Sequence, residues 1–161
     1  MPANDLLKAL KLLVVDGEPA TRELLLKLLI KPTDVEKQDG AEQDGQRNVE
    51  PQRCVQEIQT VVNVSDAFAL MNTSYHPDII LIGLGGGREG IDMARSLQRR
   101  RHPAKVIFMA ASFMNYNARE LRELGSCTLH KPLSSNQVRA ALVETMISDL
   151  FALQRASATA C

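Results

Sequence analysis

The sequence predicts an α/β protein with a doubly wound, five-stranded parallel sheet that carries helices on both faces. Short apolar runs rich in Leu, Ile and Val alternate along the chain with longer segments in which apolar residues recur at helical spacing. Strands that alternate with helices form right-handed crossovers, and these make the sheet parallel. The 161 residues and 45% hydrophobic content suffice for one core, so residues 1–155 are interpreted as a single domain.

The first strand is predicted over Lys11–Val15, because Asp16 and Gly17 close this apolar run in the way that a turn closes a buried parallel strand. Pro19 then fits the first turn of a helix, and Pro32 ends its pattern. The leucines of this helix recur at helical spacing: Leu24, Leu25, Leu28 and Leu29.

The segment 31–53 is rich in Asp, Glu, Gln, Asn, Lys and Gly and holds few apolar residues. Such a composition cannot offset the entropy lost when the chain becomes ordered. We predict a flexible polar insertion within the domain, because neither flanking piece could bury its core alone.

The alternation of strands and helices resumes after the insertion. The later strands are predicted at 55–62, 79–82, Lys105–Ala110 and Cys127–His130. Ser65 is the expected N-cap of the next helix, and further helices are predicted around 91–97 and over 117–124. Ser134 and Gln137 form a capping box for a long last helix, after which residues 156–161 are expected to fray.

The carboxyl ends of the predicted strands mark the candidate site, because ligands of doubly wound sheets bind at that edge. These ends carry Asp16, Gly17, Glu18, Gly83, Ala110 and Lys131.

Three segments resemble the receiver domain of bacterial two-component response regulators: 14–18 (VVDGE), 77–82 (PDIILI) and 129–133 (LHKPL). The resemblance extends along nearly the whole chain and implies a flavodoxin-like three-layer sandwich. In that family an acidic pair after the first strand holds magnesium, and an aspartate that ends the third strand accepts a phosphoryl group. A Ser or Thr ending the fourth strand contacts this group, and a lysine before proline completes the site.

The chain matches this pattern at Asp16 and Lys131 and departs from it elsewhere. The departures are Gly17 at the second acidic position, Gly83 at the phosphoacceptor, Ala110 at the hydroxyl position and Thr128 at the place of the aromatic switch residue. The resemblance therefore implies a degenerate form of the receiver, a pseudo-receiver.

Glycine at position 83 excludes an aspartyl phosphate there, because an acyl phosphate needs a carboxylate oxygen as nucleophile. Asp78 cannot replace the acceptor, since five residues of strand place it roughly 16 Å away. Asp16 and Glu18 alone make a poor magnesium site, so we expect neither a metal nor a cofactor. We predict instead that Lys131 pairs with Asp16 or Glu18 and takes the place of the metal.

Residues 85–90 (GGGREG) also match a glycine-rich phosphate-binding pattern between a strand and a helix. A small nucleotide-binding domain that uses the loop from Gly85 to Gly90 is therefore the alternative function. A third possibility is a phosphorylatable receiver with an unrecognised acceptor.

Signalling through protein partners, without enzymatic activity, is the function that we expect. Val143, Ile147 and Phe151 form a second apolar stripe on the last helix, which suggests a partner or homodimer surface. A helix that is buried on two sides by a neighbouring loop is the other interpretation.

Charge and cysteine usage limit the kinds of partner and the cellular compartment that we expect for the protein. Nineteen basic and nineteen acidic residues cancel, so nucleic acid and membrane surfaces are unlikely partners, and the arginines at 99–101 are interpreted as a solvated helix end. The widely spaced Cys54, Cys127 and Cys161 favour a reducing cytoplasm.

Overall fold

The computed structural model describes residues 3–30 and 54–158, and the side chains of 5–30 and 54–148. The elements follow in the order α1 Ala3–Lys8, β1 Lys11–Val15, α2 Pro19–Leu29, β2 Glu57–Val61, α3 Val64–Met71, β3 Ile79–Gly83, α4 Glu89–Arg99, β4 Lys105–Ala110, α5 Ala118–Leu124, β5 Cys127–His130 and α6 Ser135–Ala158. The five strands form one sheet in the order β2-β1-β3-β4-β5, and every neighbouring pair is parallel. The predicted doubly wound α/β fold is confirmed.

Two hydrophobic cores lie on the two faces of the sheet, because the pleat sends successive side chains of each strand to opposite sides. In β1, Leu12 and Val14 pack with α2 and α6, whereas Leu13 and Val15 pack with α3 and α4. The central strands are buried on both faces, which is why they read in the sequence as continuous apolar runs.

The amino end of the described chain forms a short helix that the sequence did not predict. Leu7 in α1 and Leu10 after it are buried, and α1 packs against α6. A helix of six residues is too short to show a periodic pattern, and its first residues are polar, so the sequence carries no signal for it. Near the start of β1, Asp78 accepts a hydrogen bond from the amide of Lys11 at 2.9 Å and therefore has a structural role.

The predicted insertion at 31–53 lies outside the described residues. Of the residues that flank it, Cys54 donates its amide to the carbonyl of Leu29 at 2.9 Å.

Two helix boundaries differ from their predicted positions. Asn63, and not Ser65, caps α3, because the Asn63 side chain accepts from the amide of Asp66 at 2.8 Å. Helix α6 begins after Ser134, whose hydroxyl accepts from the amide of Gln137 as the capping box predicts, and it extends to Ala158. It thus includes three residues of the expected tail, whose remainder, 159–161, is outside the described chain. Of the described helices, none has the length and apolarity to cross a membrane.

Candidate functional site

The candidate site lies at the carboxyl edge of the sheet, where four of the six predicted residues come together. Asp16 and Glu18 follow β1, Gly83 ends β3, and Lys131 follows β5. Parallel strands end at the same edge, so positions far apart in sequence become neighbours. Ala110 is buried at the end of β4 and contributes its backbone carbonyl, which accepts from the amide of Lys131 at 2.9 Å.

Asp16 is the buried carboxylate of the site, with 4% of the residue exposed. Its Oδ1 accepts a hydrogen bond from the amide of Glu18 at 2.9 Å, and its backbone carbonyl accepts from Arg22 at 2.7 Å. Oδ2 lies 2.9 Å from the ammonium nitrogen of Lys131. This last contact is an ion pair by distance, but its angles do not make it a hydrogen bond, and Oδ2 has no other donor. The short distance nevertheless supplies the countercharge that a buried carboxylate needs.

Lys131 joins the two carboxylates that follow β1. Its ammonium donates to Glu18 Oε2 at 2.8 Å, and Thr21 donates to the same oxygen at 3.0 Å. The Lys131 side chain is 16% exposed and that of Glu18 57%. The predicted pairing of Lys131 with Asp16 or Glu18 is confirmed, and it includes both carboxylates.

Two pKa values reflect this arrangement. Burial disfavours the Lys131 ammonium, but its hydrogen bond to Glu18 and the negative charges of Asp16 and Glu18 outweigh this effect and raise the pKa of Lys131 above its ordinary value. The hydrogen bond from Lys131, followed by that from Thr21, lowers the pKa of Glu18. Each group therefore favours the charged form of its partner near neutral pH.

Gly83 lies directly beneath the carboxylate of Asp16. A Cβ atom at position 83 would lie 2.1 Å from Asp16 Oδ2, 2.4 Å from Cγ and 3.0 Å from Cβ. The Asp16 carboxylate thus fills the space of the first atoms of any side chain at position 83. Sequence reasoning identified the missing carboxyl group of Gly83 but not this overlap, which depends on how β1 and β3 approach each other. Gly17, in contrast, has room for a side chain, since its Cβ would make one ordinary van der Waals contact, with the backbone oxygen of Val62 at 3.8 Å.

A groove of about 330 Å³ opens beside Asp16 and Gly83, lined by the chain after β1, β2 and β3. Asp16 and Glu89 line it, and the groove has no basic side chain among its lining residues. A negatively charged phosphate would therefore meet the carboxylate of Glu89 and no basic side chain among the residues that line the groove. This electrostatic balance disfavours the nucleotide-binding alternative.

The glycine-rich loop is used for contacts within the chain. The amide of Gly86 donates to the Tyr116 hydroxyl at 2.9 Å, and that hydroxyl donates to the carbonyl of Gly87 at 3.2 Å. Gly86 has a φ of +93°, which favours glycine, and a Cβ at Gly90 would lie 2.7 Å from the side chain of Ile82. At least two of these glycines thus have a structural reason to be there.

An ionic cluster connects the same loop to α5. Glu120 pairs with Arg88 at 2.6 Å and also with Arg95 from α4. The hydrogen bond from Arg88 is the main cause that lowers the pKa of Glu120. Tyr116 and Glu120 together hold the β3–α4 loop against the β4–α5 side of the domain.

The predicted partner stripe on α6 is partly covered by the chain itself. Val143 is half-buried and packs against the core beneath α6, and Ile147 is half-buried as well. Phe151 lies beyond the described side chains. Helix α1 also packs against α6. Thr128, at the switch position, is exposed on β5.

No family model of known proteins matches the chain, and no curated protein matches it. Solved structures do. A response regulator receiver domain protein from Clostridium thermocellum has 14% identity and a TM-score of 0.61, over 88% of this chain and 98% of that one. The receiver domain of a putative LuxO repressor from Vibrio parahaemolyticus has 17% identity and a TM-score of 0.59, over 89% and 97% of the two chains.

The response regulator TrrA from Thermotoga maritima, in complex with Mg²⁺-BeF, has 18% identity and a TM-score of 0.57, over 84% of this chain and 97% of that one. At such identities the likeness concerns the fold. The chain has a receiver-like, flavodoxin-like fold.

Proposed function

We propose that the protein is a degenerate receiver that acts in signal transduction by binding other proteins, without phosphoryl transfer and without enzymatic activity. The observation that carries this proposal is that the ammonium of Lys131 lies between the two carboxylates at the carboxyl edge of the sheet. Lys131 forms ion pairs with Asp16 and Glu18, and a glycine lies where the acceptor aspartate of a receiver would be. The receiver-like fold and its neighbours support a role in signalling. The cysteines favour the cytoplasm as the place of action.

The chemistry of phosphoryl transfer needs two things that this edge lacks. A nucleophilic carboxylate must stand at the acceptor position, but position 83 is glycine, and the nearest carboxylate oxygen, Oδ2 of Asp16, is fully buried against Lys131. A magnesium ion must also neutralise the phosphate, and a cation there would have an ammonium within 3 Å of each carboxylate, at 2.9 and 2.8 Å. Among the side chains that the structure describes, no three metal-binding residues come together.

Incubation with acetyl phosphate and magnesium should leave the mass of the protein unchanged, because glycine at position 83 offers no carboxylate where a receiver accepts the phosphoryl group. Intact mass spectrometry measures this directly, and the Thermotoga maritima receiver serves as a positive control treated in parallel. A manganese titration followed by NMR should likewise show no saturable broadening at sub-millimolar metal. A stable mass increase that maps to Asp16, Glu18 or another carboxylate of this edge contradicts the proposal and favours an unrecognised acceptor.

The partner surface that we propose includes the outer side of α6 around Ile147, and a second copy of the chain is the occupant that is easiest to test. Sedimentation of the wild type should depend on concentration, and Ile147→Asp should abolish this dependence, because a charge in an apolar contact is left without compensation. Ser148→Asp adds the same charge at the next, exposed position and should change little. A wild type that is monomeric at all concentrations excludes the homodimer and leaves a different protein as the partner.

A further inference from the structure

The place of the acceptor side chain at position 83 is taken by the carboxylate of Asp16, so the site has lost the acceptor and has no free space for one. The three distances from a Cβ at position 83 are 2.1, 2.4 and 3.0 Å, all below the separation of atoms in contact, which is about 3.5 to 4.0 Å for carbon. Even alanine at position 83 is therefore incompatible with the observed position of the Asp16 carboxylate. One of the two side chains has to be absent or has to move.

The carboxylate cannot move without cost, because every part of Asp16 is held. Oδ1 accepts from the amide of Glu18, Oδ2 is paired with Lys131, and the backbone carbonyl accepts from Arg22. A displaced carboxylate would lose the amide and the ammonium together and would have to find new partners in a buried place. The position of Lys131 depends on Asp16 in turn, because the ammonium lies between Asp16 and Glu18.

We propose that Gly83 is a positioning residue and that Asp16 is an internal occupant of the acceptor's place, so that the two together hold Lys131 in one position. This inference rests on the proposed phosphorylation-independent function and adds how that state is maintained. The missing side chain at position 83 makes room for Asp16, Asp16 attracts Lys131, and Lys131 holds Glu18. An input signal has to act elsewhere on the domain, since position 83 has no carboxylate and Asp16 is held by Lys131.

A double-mutant cycle between positions 83 and 16 tests this coupling. Gly83→Ala should lower Tm by roughly 5 °C in the wild type, because it forces the Asp16 carboxylate out of place. In the Asp16→Ala background the two shortest contacts are absent, and the same substitution should lower Tm by at most about 2 °C. Gly85→Ala is the matched control, since a Cβ there meets nothing within 4 Å, and its effect should be small and equal in both backgrounds.

Equal losses from Gly83→Ala in the two backgrounds overturn the proposal. Should Gly83→Ala fail to fold alone, recovery of folded protein on adding Asp16→Ala supports it, and failure of the double variant while Asp16→Ala itself folds contradicts it. Acylation of Lys131 by a succinimidyl ester, measured by peptide mass spectrometry relative to the exposed Lys8, gives a local readout. Gly83→Ala should accelerate it by roughly tenfold, since one charged partner of the ammonium is displaced.

These results are independent of the acetyl phosphate experiment. Suppose that the effects in the mutant cycle are additive and that acetyl phosphate does not phosphorylate the wild type. The role of Asp16 as an internal occupant is then rejected, and the phosphorylation-independent function is kept. A wild type that acetyl phosphate phosphorylates would reject that function even if Asp16 and position 83 proved to be coupled.

Discussion

Lys131→Met should destabilise the protein by about 3 kcal/mol, because it leaves the buried carboxylate of Asp16 without a countercharge. Methionine keeps the length of the side chain and its packing, so the change isolates the charge. The exposed carboxylate of Glu18 can find water instead and should contribute little to the loss. Urea unfolding at pH 7 measures the free energy of unfolding, and Tm should fall by roughly 6 to 12 °C.

Two further variants show whether the loss comes from Asp16. Lys8→Met removes a lysine from an exposed pair with Asp5, at 3.6 Å, and should change stability by at most about 0.5 kcal/mol. Asp16→Asn, added to Lys131→Met, removes the uncompensated charge and should recover a large part of the loss. A loss below about 1 kcal/mol for Lys131→Met alone would mean that this pair contributes no more than a surface salt bridge.

The pH dependence of stability should carry the signs of the two pKa shifts. The pKa of Lys131 is raised, so its contribution is complete below its ordinary pKa of 10.5 and is lost as the pH rises through the higher folded value. The pKa of Glu18 is lowered, so its contribution is present above its ordinary pKa of 4.5 and is lost as the pH falls through the folded value. Lys131→Met should therefore remove the part of the alkaline loss of stability that comes from this lysine, as urea unfolding of both proteins across the alkaline range measures.

The strands were predictable because a buried parallel strand is apolar on both faces and forms an uninterrupted run. The bounds of β1, β4 and β5 agree with the sequence prediction, and β3 extends by one residue to Gly83. Helix α1 was missed because six residues give no periodic signal and its stability comes from packing on α6. The cap of α3 was assigned two residues late, since Asn63 and Ser65 are both good N-cap residues and only the backbone distinguishes them.

The site was predictable in its members and less so in its geometry. Parallel strands bring their carboxyl ends to one edge, so Asp16, Glu18 and Lys131 had to be neighbours once the strands were known. Opposite charges at such an edge pair, and that pairing followed from the sequence. The contact of Asp16 with Gly83 did not follow, because it depends on the side-chain rotamer of Asp16 and on a separation between β1 and β3 that residue types do not encode.

Gly83→Asp, the substitution that restores the missing carboxylate, should destabilise the protein by about 3 kcal/mol and should not restore phosphorylation. Its Cβ overlaps the Asp16 carboxylate, and its charge adds a third carboxylate to a place where a single ammonium already pairs with two. Gly17 and Ala110 still lack the second acidic group and the hydroxyl that a receiver uses. Urea unfolding measures the first effect, and intact mass after incubation with acetyl phosphate measures the second.

Two comparisons show whether Gly83→Asp destabilises the protein through its overlap with Asp16 or through the added charge alone. Gly85→Asp places the same charge in the neighbouring loop, where a Cβ meets nothing, and should cost less than about 1 kcal/mol. Gly83→Asp combined with Asp16→Ala moves the carboxylate from one residue to the other and should recover most of the stability, because one carboxylate again lies beside Lys131. If Gly83→Asp is as stable as the wild type, or becomes phosphorylated at position 83, then Asp16 does not occupy the place of the acceptor. The missing aspartate would in that case be the sole obstacle to phosphorylation.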